Sequence, residues 1–426
     1  MGFSIFIPME RNYILFDTPA RELLYPFTHT RPVAACRVGI LTIREKWEHW
    51  LNTSVSYLTV PHLQEKYPLC QKETWENVFI DGSVLPAADL VEAIKALKAG
   101  QHLYKDHQLI AYILEKNDSQ REIYVSGEAA AKQRPSSEQA TNKKKVGEDE
   151  KKVEKLHFDG PVAFITMPWD IFLLNDQAIR DDFDLLTQHR TSAAIPDSNQ
   201  VIAPENIFIE EGAVVACSIL NASTGPIYIG KQAVIMEGCL VRGPLALGEK
   251  AVLKMGTKVY GATTLGPGSV GGGEMKNVVM FGYSNKGHDG YLGDAVLGEW
   301  CNLGANTTCS NLKNNGSLVK VWVEASKEGQ VAGRKCGLLM GDYSRCGVGT
   351  MLNTGTVIGV SCNIFGGDFP PKFVPSFSWG GAVKLEDYRL EEALRDAATW
   401  MEFKGQHLSP VEERLLQSVF TSVNNL

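Results

Sequence analysis

The fold is decided by residues 229–266, IGKQAVIMEGCLVRGPLALGEKAVLKMGTKVYGATTLG. Ile229, Ile235, Val241, Leu247, Leu253, Val259 and Leu265 stand six residues apart, and all are aliphatic. Gly follows at 230, 248 and 266, eighteen apart. The beat returns at Leu297, Leu303 and Cys309, and again at Met340, Cys346, Leu352, Ile358 and Ile364. A six-residue period matches neither a helical stripe nor the alternation of a half-buried strand. It matches a β-helix, in which each hexad supplies one short strand and a turn and three hexads close a triangular coil. The aliphatic residue points into the prism, and small residues near the corners permit the turns. Residues 271–290 and 311–337 break the beat and are expected to be loops thrown out from the prism, where function often sits.

The chain around this region has 426 residues, 44% of them hydrophobic and 21% charged, as in globular proteins of two or three domains. A net charge of −7 argues against nucleic acid or an anionic membrane as the main partner. No apolar run approaches the ~20 residues of a membrane span, and the first residues lack a signal-peptide pattern. Met1-Gly2 opens a myristoylation pattern, but Phe6 stands where Ser or Thr is wanted. Nine scattered Cys without a CxxC pair read as free thiols of a reducing compartment, so the expected location is the cytoplasm.

Upstream, NYILFD (12–17) and SVSYLTV (54–60) read as strands, and 37–51 and 88–100 as amphipathic helices, the second closed by Gly100. The expected organisation is an α/β domain over 1–187 with a solvated, mobile insertion at 117–157. A linker at 188–228 leads into the prism at 229–381, and helices over 382–426 close the chain. Ser409-Pro410-Val411-Glu412 is a capping box for the last of them.

The break at 271–290 contains Glu274-Met275-Lys276, then His288, Tyr291-Leu292-Gly293-Asp294-Ala295, Asn302-Leu303-Gly304-Ala305 and Asn311. In this order and spacing they resemble the acetyltransferase half of the GlmU-type family, which acetylates glucosamine 1-phosphate and then forms UDP-N-acetylglucosamine. The resemblance implies a left-handed parallel β-helix, usually a homotrimer with the acyl site between subunits, and acetyl-CoA as co-substrate. It implies His288 as general base and Asn311 as the residue positioning the reacting groups. Lys276 would hold the sugar phosphate, and Tyr291 and Asn302 the sugar. An ammonium is not a nucleophile, so a base titrating near neutrality must deprotonate the amine before it attacks the thioester. The family's Arg one coil before the Lys has no counterpart at its place; Arg242, Lys254 and Lys258 are the nearest cations. A second family Lys falls on Ser317, with Lys313 and Lys320 nearby.

The run Arg21 to Pro32, RELLYPFTHTRP, resembles a sugar nucleotidyltransferase signature whose glycine loop has become Asp17-Thr18-Pro19-Ala20. The resemblance assigns Arg21 and Arg31 to phosphates. Asp81, Asp170, Asn175 and Asp176 are candidate Mg²⁺ ligands, since a divalent ion bridging carboxylate and phosphate serves phosphoryl chemistry. The expected substrates are a nucleoside triphosphate, a sugar 1-phosphate and acetyl-CoA. Two alternatives stay open. One is nucleotidyl transfer alone, as in a glucose-1-phosphate thymidylyltransferase, with the prism as oligomerisation scaffold. The other is a sugar-nucleotide binding protein without turnover.

Overall fold

A computed structural model describes residues 10–71, 76–114 and 153–424. The N-terminal part is built on a six-stranded sheet of order β2-β1-β3-β5-β4-β6. Its strands are β1 (Arg11–Phe16), β2 (Val55–Leu58), β3 (Glu76–Asp81), β4 (Gln101–Lys105), β5 (Gln108–Ile113) and β6 (Glu154–His157). β1 lies parallel to both β2 and β3, with Phe16 opposite Asp81, so Asp17 and Asp81 sit at adjacent strand ends. Such carboxyl ends of parallel strands are where open α/β sheets bind ligands.

Local chemistry moves two helix boundaries. The helix expected over 37–51 spans only Ile43–Leu51, because Thr42 and Glu45 form a reciprocal capping box that fixes its start. Upstream of it, Arg37 bridges to Thr42 in a tight turn. The helix expected over 88–100 stops at Lys95; Gly100 instead donates its N–H to the Ile113 carbonyl at 2.8 Å, at the start of β4. Of the expected insertion at 117–157, residues 154–157 form β6, parallel to β4; residues 117–152 lie outside the described residues, as does the reading of Met1–Phe6.

Parallel pairing of the second part starts at Gln200–Ile202 and builds a three-faced solenoid. Face A stacks Gln200–Ile202, Ile219–Asn221, Leu240–Arg242 and Lys258–Tyr260. Face B begins with Ile207–Ile209, Ile227–Ile229, Leu245–Leu247 and Thr263–Leu265. Face C begins with Val214–Val215, Val234–Ile235, Val252–Leu253 and Val270–Gly271. All seven aliphatic side chains of the opening hexads point inward, none more than 3% exposed.

The break at 271–290 is not an excursion. Glu274–Gly282 and Tyr291–Glu299 are long strands that each cross from face A to face B, and Asn285–Lys286 continues face C. What fails is the period. Lys258 pairs with Glu274, sixteen residues on; Leu265 pairs with Met280, fifteen on; and Glu274 pairs with Tyr291, seventeen on. Shortened corners hide the hexad while the coil persists. The second break does leave the prism: Val319–Val323 and Glu328–Gly333 form an antiparallel hairpin whose Val319, Val321 and Val323 are buried in the N-terminal core.

Two sides of the prism are covered. Phe208, Tyr228 and Ala246 on face B pack against Ile40 and Ile179, and further along Val279, Phe281, Val296 and Leu339 join the N-terminal core. The C-terminal helices Leu390–Glu402 and Pro410–Asn424 cover the corner between faces B and C, where Trp300, Tyr343 and Val360 meet Ala397, Met401 and Leu416. Ser409 and Glu412 form the expected capping box. Face A stays open, with Ile202, Ile219 and Leu240 exposed. Among the described residues no helix is long and apolar enough to cross a membrane.

Candidate functional site

Face A gathers most of the residues carried by the motif. Register puts Lys258, Glu274 and Tyr291 in one outward column, and Tyr260, Lys276 and Gly293 in the next. Adjacent coils are about 4.8 Å apart, so the cluster spans about 10 Å. Tyr260 donates its hydroxyl to Glu274 Oε1 at 2.6 Å, and that bond to a carboxylate, more than burial, pushes the phenol up to about 12. Lys276 Nζ lies 5.7 Å from the Tyr260 ring centroid, a cation–π contact. Asn311 donates to Tyr291 Oη at 3.0 Å and also to Asp294 Oδ2. Asp294 accepts a further bond from Asn277 at 2.8 Å. Burial raises the Tyr291 phenol, and the Asp294 carboxylate raises it further. The hydroxyl therefore stays protonated, able to donate.

His288 stands three residues before Tyr291, at the corner between faces C and A. Its side chain is exposed and makes no hydrogen bond among the described residues. The corner is tight: Gly290 has φ 113°, and a Cβ there would lie 2.2 Å from the Thr307 carbonyl oxygen. Only glycine fits such a left-handed turn against backbone.

Asn302 is not brought into this cluster. It stands on face C beside Asn285, which donates to it at 3.5 Å, and Lys404, in the turn between the C-terminal helices, donates to Asn285 at 2.9 Å. Within one chain the prism separates Asn302 from Tyr291. Below the motif, Asn221, Arg242, Lys258, Tyr260 and Glu274 line a cavity of about 630 Å³ on face A. Arg242 and Lys258 are thus the cations that share this surface with Lys276. Hexad counting reaches Lys258 but misses its column, because the coil between 258 and 274 is short.

The arginines of the N-terminal run, expected at phosphates, are buried and held by protein groups. Arg21 is buried, 3.4 Å from Asp17, and donates to the Thr28 carbonyl. Arg31 is buried in the domain interface, donates to Asp342 of the prism, lies 3.3 Å from Glu299 and stacks 4.9 Å from the Phe281 ring. A guanidinium spent on buried carboxylates is a structural tie.

The four expected metal ligands do not converge either. Asp170 accepts from Thr166 and Met167 at the start of its own helix. Asn175 accepts from Gly39 at 2.7 Å and donates to the Ala262 carbonyl at 3.0 Å, tying the sheet domain to the prism. Asp176 pairs with Arg180 on the surface. Asp81 accepts from the Ser83 amide at 2.9 Å and its hydroxyl at 2.8 Å; burial lifts its carboxyl to about 6. Among the described residues no three acidic, His or Cys side chains cluster as a metal site. Asp81, Asp170, Asn175 and Asp176, each held by its own neighbours, do not form one shared Mg²⁺ site.

A family model, "Sugar nucleotidyl transferase", matches residues 13–191. The bifunctional protein GlmU of Methanocaldococcus jannaschii is 29% identical over 223 residues, which is 50% of this chain and 46% of that relative. GlmU of Methanococcus vannielii is 26% identical over 214 residues, 46% of this chain and 43% of its own. These matches support a GlmU-type family. The chain spans about half the length of the GlmU relatives it matches most extensively. A solved UDP-N-acetylglucosamine acyltransferase of Arabidopsis aligns over 55% of this chain and 93% of its own, at 16% identity and a TM-score of 0.30. The matched nucleotidyl transferase region covers the N-terminal sheet.

Proposed function

We propose that this chain is a transferase of sugar-nucleotide biosynthesis that moves an acetyl group from acetyl-CoA to an amino-sugar 1-phosphate on face A. The observation that carries the reading is two adjoining groups on face A beside the exposed His288 corner: Tyr260 with Glu274 and Lys276, and Asn311 with Tyr291 and Asp294. In this reading His288 takes a proton from the sugar ammonium. The freed amine attacks the thioester carbonyl, the C–N bond forms, the C–S bond breaks, and the departing sulfur takes the second proton lost by the nitrogen to leave as the CoA thiol. No covalent enzyme intermediate is needed. Lys276, with Lys258 and Arg242 along the same face, meets the sugar phosphate; Tyr291 and Asn311 hold the sugar and the reacting carbonyl.

Nucleotidyl transfer to the resulting sugar 1-phosphate is the second proposed activity and belongs to the N-terminal sheet, whose strand ends carry Asp17 and Asp81. Its support is the family match over residues 13–191. Arg21 and Arg31 are tied into protein, so the nucleotide phosphates would be met by other groups. The open face A, with Ile202, Ile219 and Leu240 exposed, and the separation of Asn302 from Tyr291 favour a homotrimer in which two copies complete one site. The test is thiol release from acetyl-CoA with glucosamine 1-phosphate and other amino-sugar 1-phosphates. Pyrophosphate release is followed separately with four nucleoside triphosphates. An enzyme that releases neither thiol nor pyrophosphate with any pair contradicts the reading.

A further inference from the structure

Inside the prism, directly beneath the His288 corner, lies a charge. The face C strand Asn285–Lys286 turns Asn285 outward and Lys286 inward, at a level where Leu253 points in two coils earlier and Leu303 one coil later. Lys286 is 1% exposed, among the largest fully buried side chains of the molecule. The position before it in this inward column is Gly271. A Cβ there would lie 2.5 Å from the Met275 methyl and 2.7 Å from Leu265 Cδ2, so the wall around it is apolar.

Among the described residues the ammonium has no ion-pair partner at contact distance. Its three donors go to carbonyl oxygens: His288, Asp289 at 3.1 Å and Gly272 at 3.4 Å. A buried ammonium that spends its donors on two consecutive loop carbonyls holds that loop from below. The third bond fastens the loop to the neighbouring corner of the preceding coil. Burial holds the lysine down to about 8, with the Asp289 carboxylate opposing that shift. An aliphatic residue would suit this interior better, and placing a lone cation there is costly. Stability alone does not explain it.

We propose that Lys286 is a positioning residue, an internal post that fixes the backbone at His288 and Asp289 and so sets where the His288 imidazole stands over face A. This rests on the reading of His288 as the base of acetyl transfer. The two are separable, because the post acts on backbone that can be observed without turnover.

The test is Lys286→Met in the full-length chain, with Lys286→Gln, which is shorter and keeps two donors, as the graded variant. Lys286→Met is expected to lower kcat for acetyl transfer about tenfold or more while KM for acetyl-CoA stays within about twofold. Its Tm should be unchanged or higher, since a desolvated charge has been replaced by a thioether chain of similar length. Lys286→Gln should fall between the two. Hydrogen exchange of amides 287–291 should quicken about tenfold in Lys286→Met and less in Lys286→Gln. A kcat equal to wild type overturns the proposal, as does a parallel collapse of kcat and Tm, which would mark a merely structural lysine. If the wild-type chain transfers no acetyl group, the base reading falls. The post is then judged on exchange alone: faster exchange at 287–291 supports it, and unchanged exchange overturns it.

Discussion

Asp81 shows how a single side chain reports on the N-terminal sheet. Burial lifts its carboxyl from the ordinary range to about 6, against two bonds from Ser83. The folded pKa therefore exceeds the unfolded one, so the native state binds more protons between about pH 4 and 6 and stability falls as pH rises through that window. Asp81→Asn is expected to raise the unfolding free energy at pH 7.5 by at most about 3 kcal/mol and to leave it nearly unchanged at pH 4. Chemical denaturation at the two pH values checks this; equal effects at both would mean that Asp81 is not held up by burial. At this scale the sequence was legible where placement depends on fixed spacing: Lys276 and Tyr291 share one face because the coil makes them neighbours, and Asn311 bonds Tyr291. Arg31 was not legible. Its partner Asp342 lies 311 residues away, and only the docking of sheet on prism brings them together. The inward turn of Lys286 is hidden for a related reason, since it depends on pairing with Gly271 across a shortened coil.

Element by element, periodicity carried the reading as far as it held. Seven hexads place Ile229 through Leu265 inside, and the structure buries all seven. Where corners shorten, between Lys258 and Tyr291, the same coil reads as a loop, because counting by six tests turn length as much as strand placement. Helix starts were set by capping chemistry at Thr42 and Ser409, which the apolar stripe alone does not fix. Leu247→Asp tests the prism itself. Leu247 is fully buried between Ile229 and Leu265 of the adjoining coils, so the substitution buries an unpaired carboxylate at a cost above about 4 kcal/mol. Loss of cooperative β-sheet melting by circular dichroism is expected. A variant that melts like wild type would mean that position 247 does not face the core.

At the scale of the whole molecule, the three faces of the prism divide the work. The sheet domain covers face B, the C-terminal helices cover the corner of faces B and C, and face A is left with its polar cluster and its exposed Ile202, Ile219 and Leu240. Copies packed along face A would bury that apolar edge and bring a neighbour's side chains to the His288 corner. Sedimentation equilibrium is expected to give three times the 46.8 kDa chain mass, and Leu240→Asp to shift it towards one. A monomer at micromolar concentration would contradict side-by-side packing. Neither assembly nor the covering of face B can be counted along a sequence, since both depend on which surfaces meet. The most direct measurement is thiol release from acetyl-CoA with glucosamine 1-phosphate, comparing wild type with His288→Ala. The account predicts turnover by the wild type and a kcat lower by about 10²–10⁴-fold in His288→Ala, with the fold unchanged. Equal rates in the two proteins would contradict it.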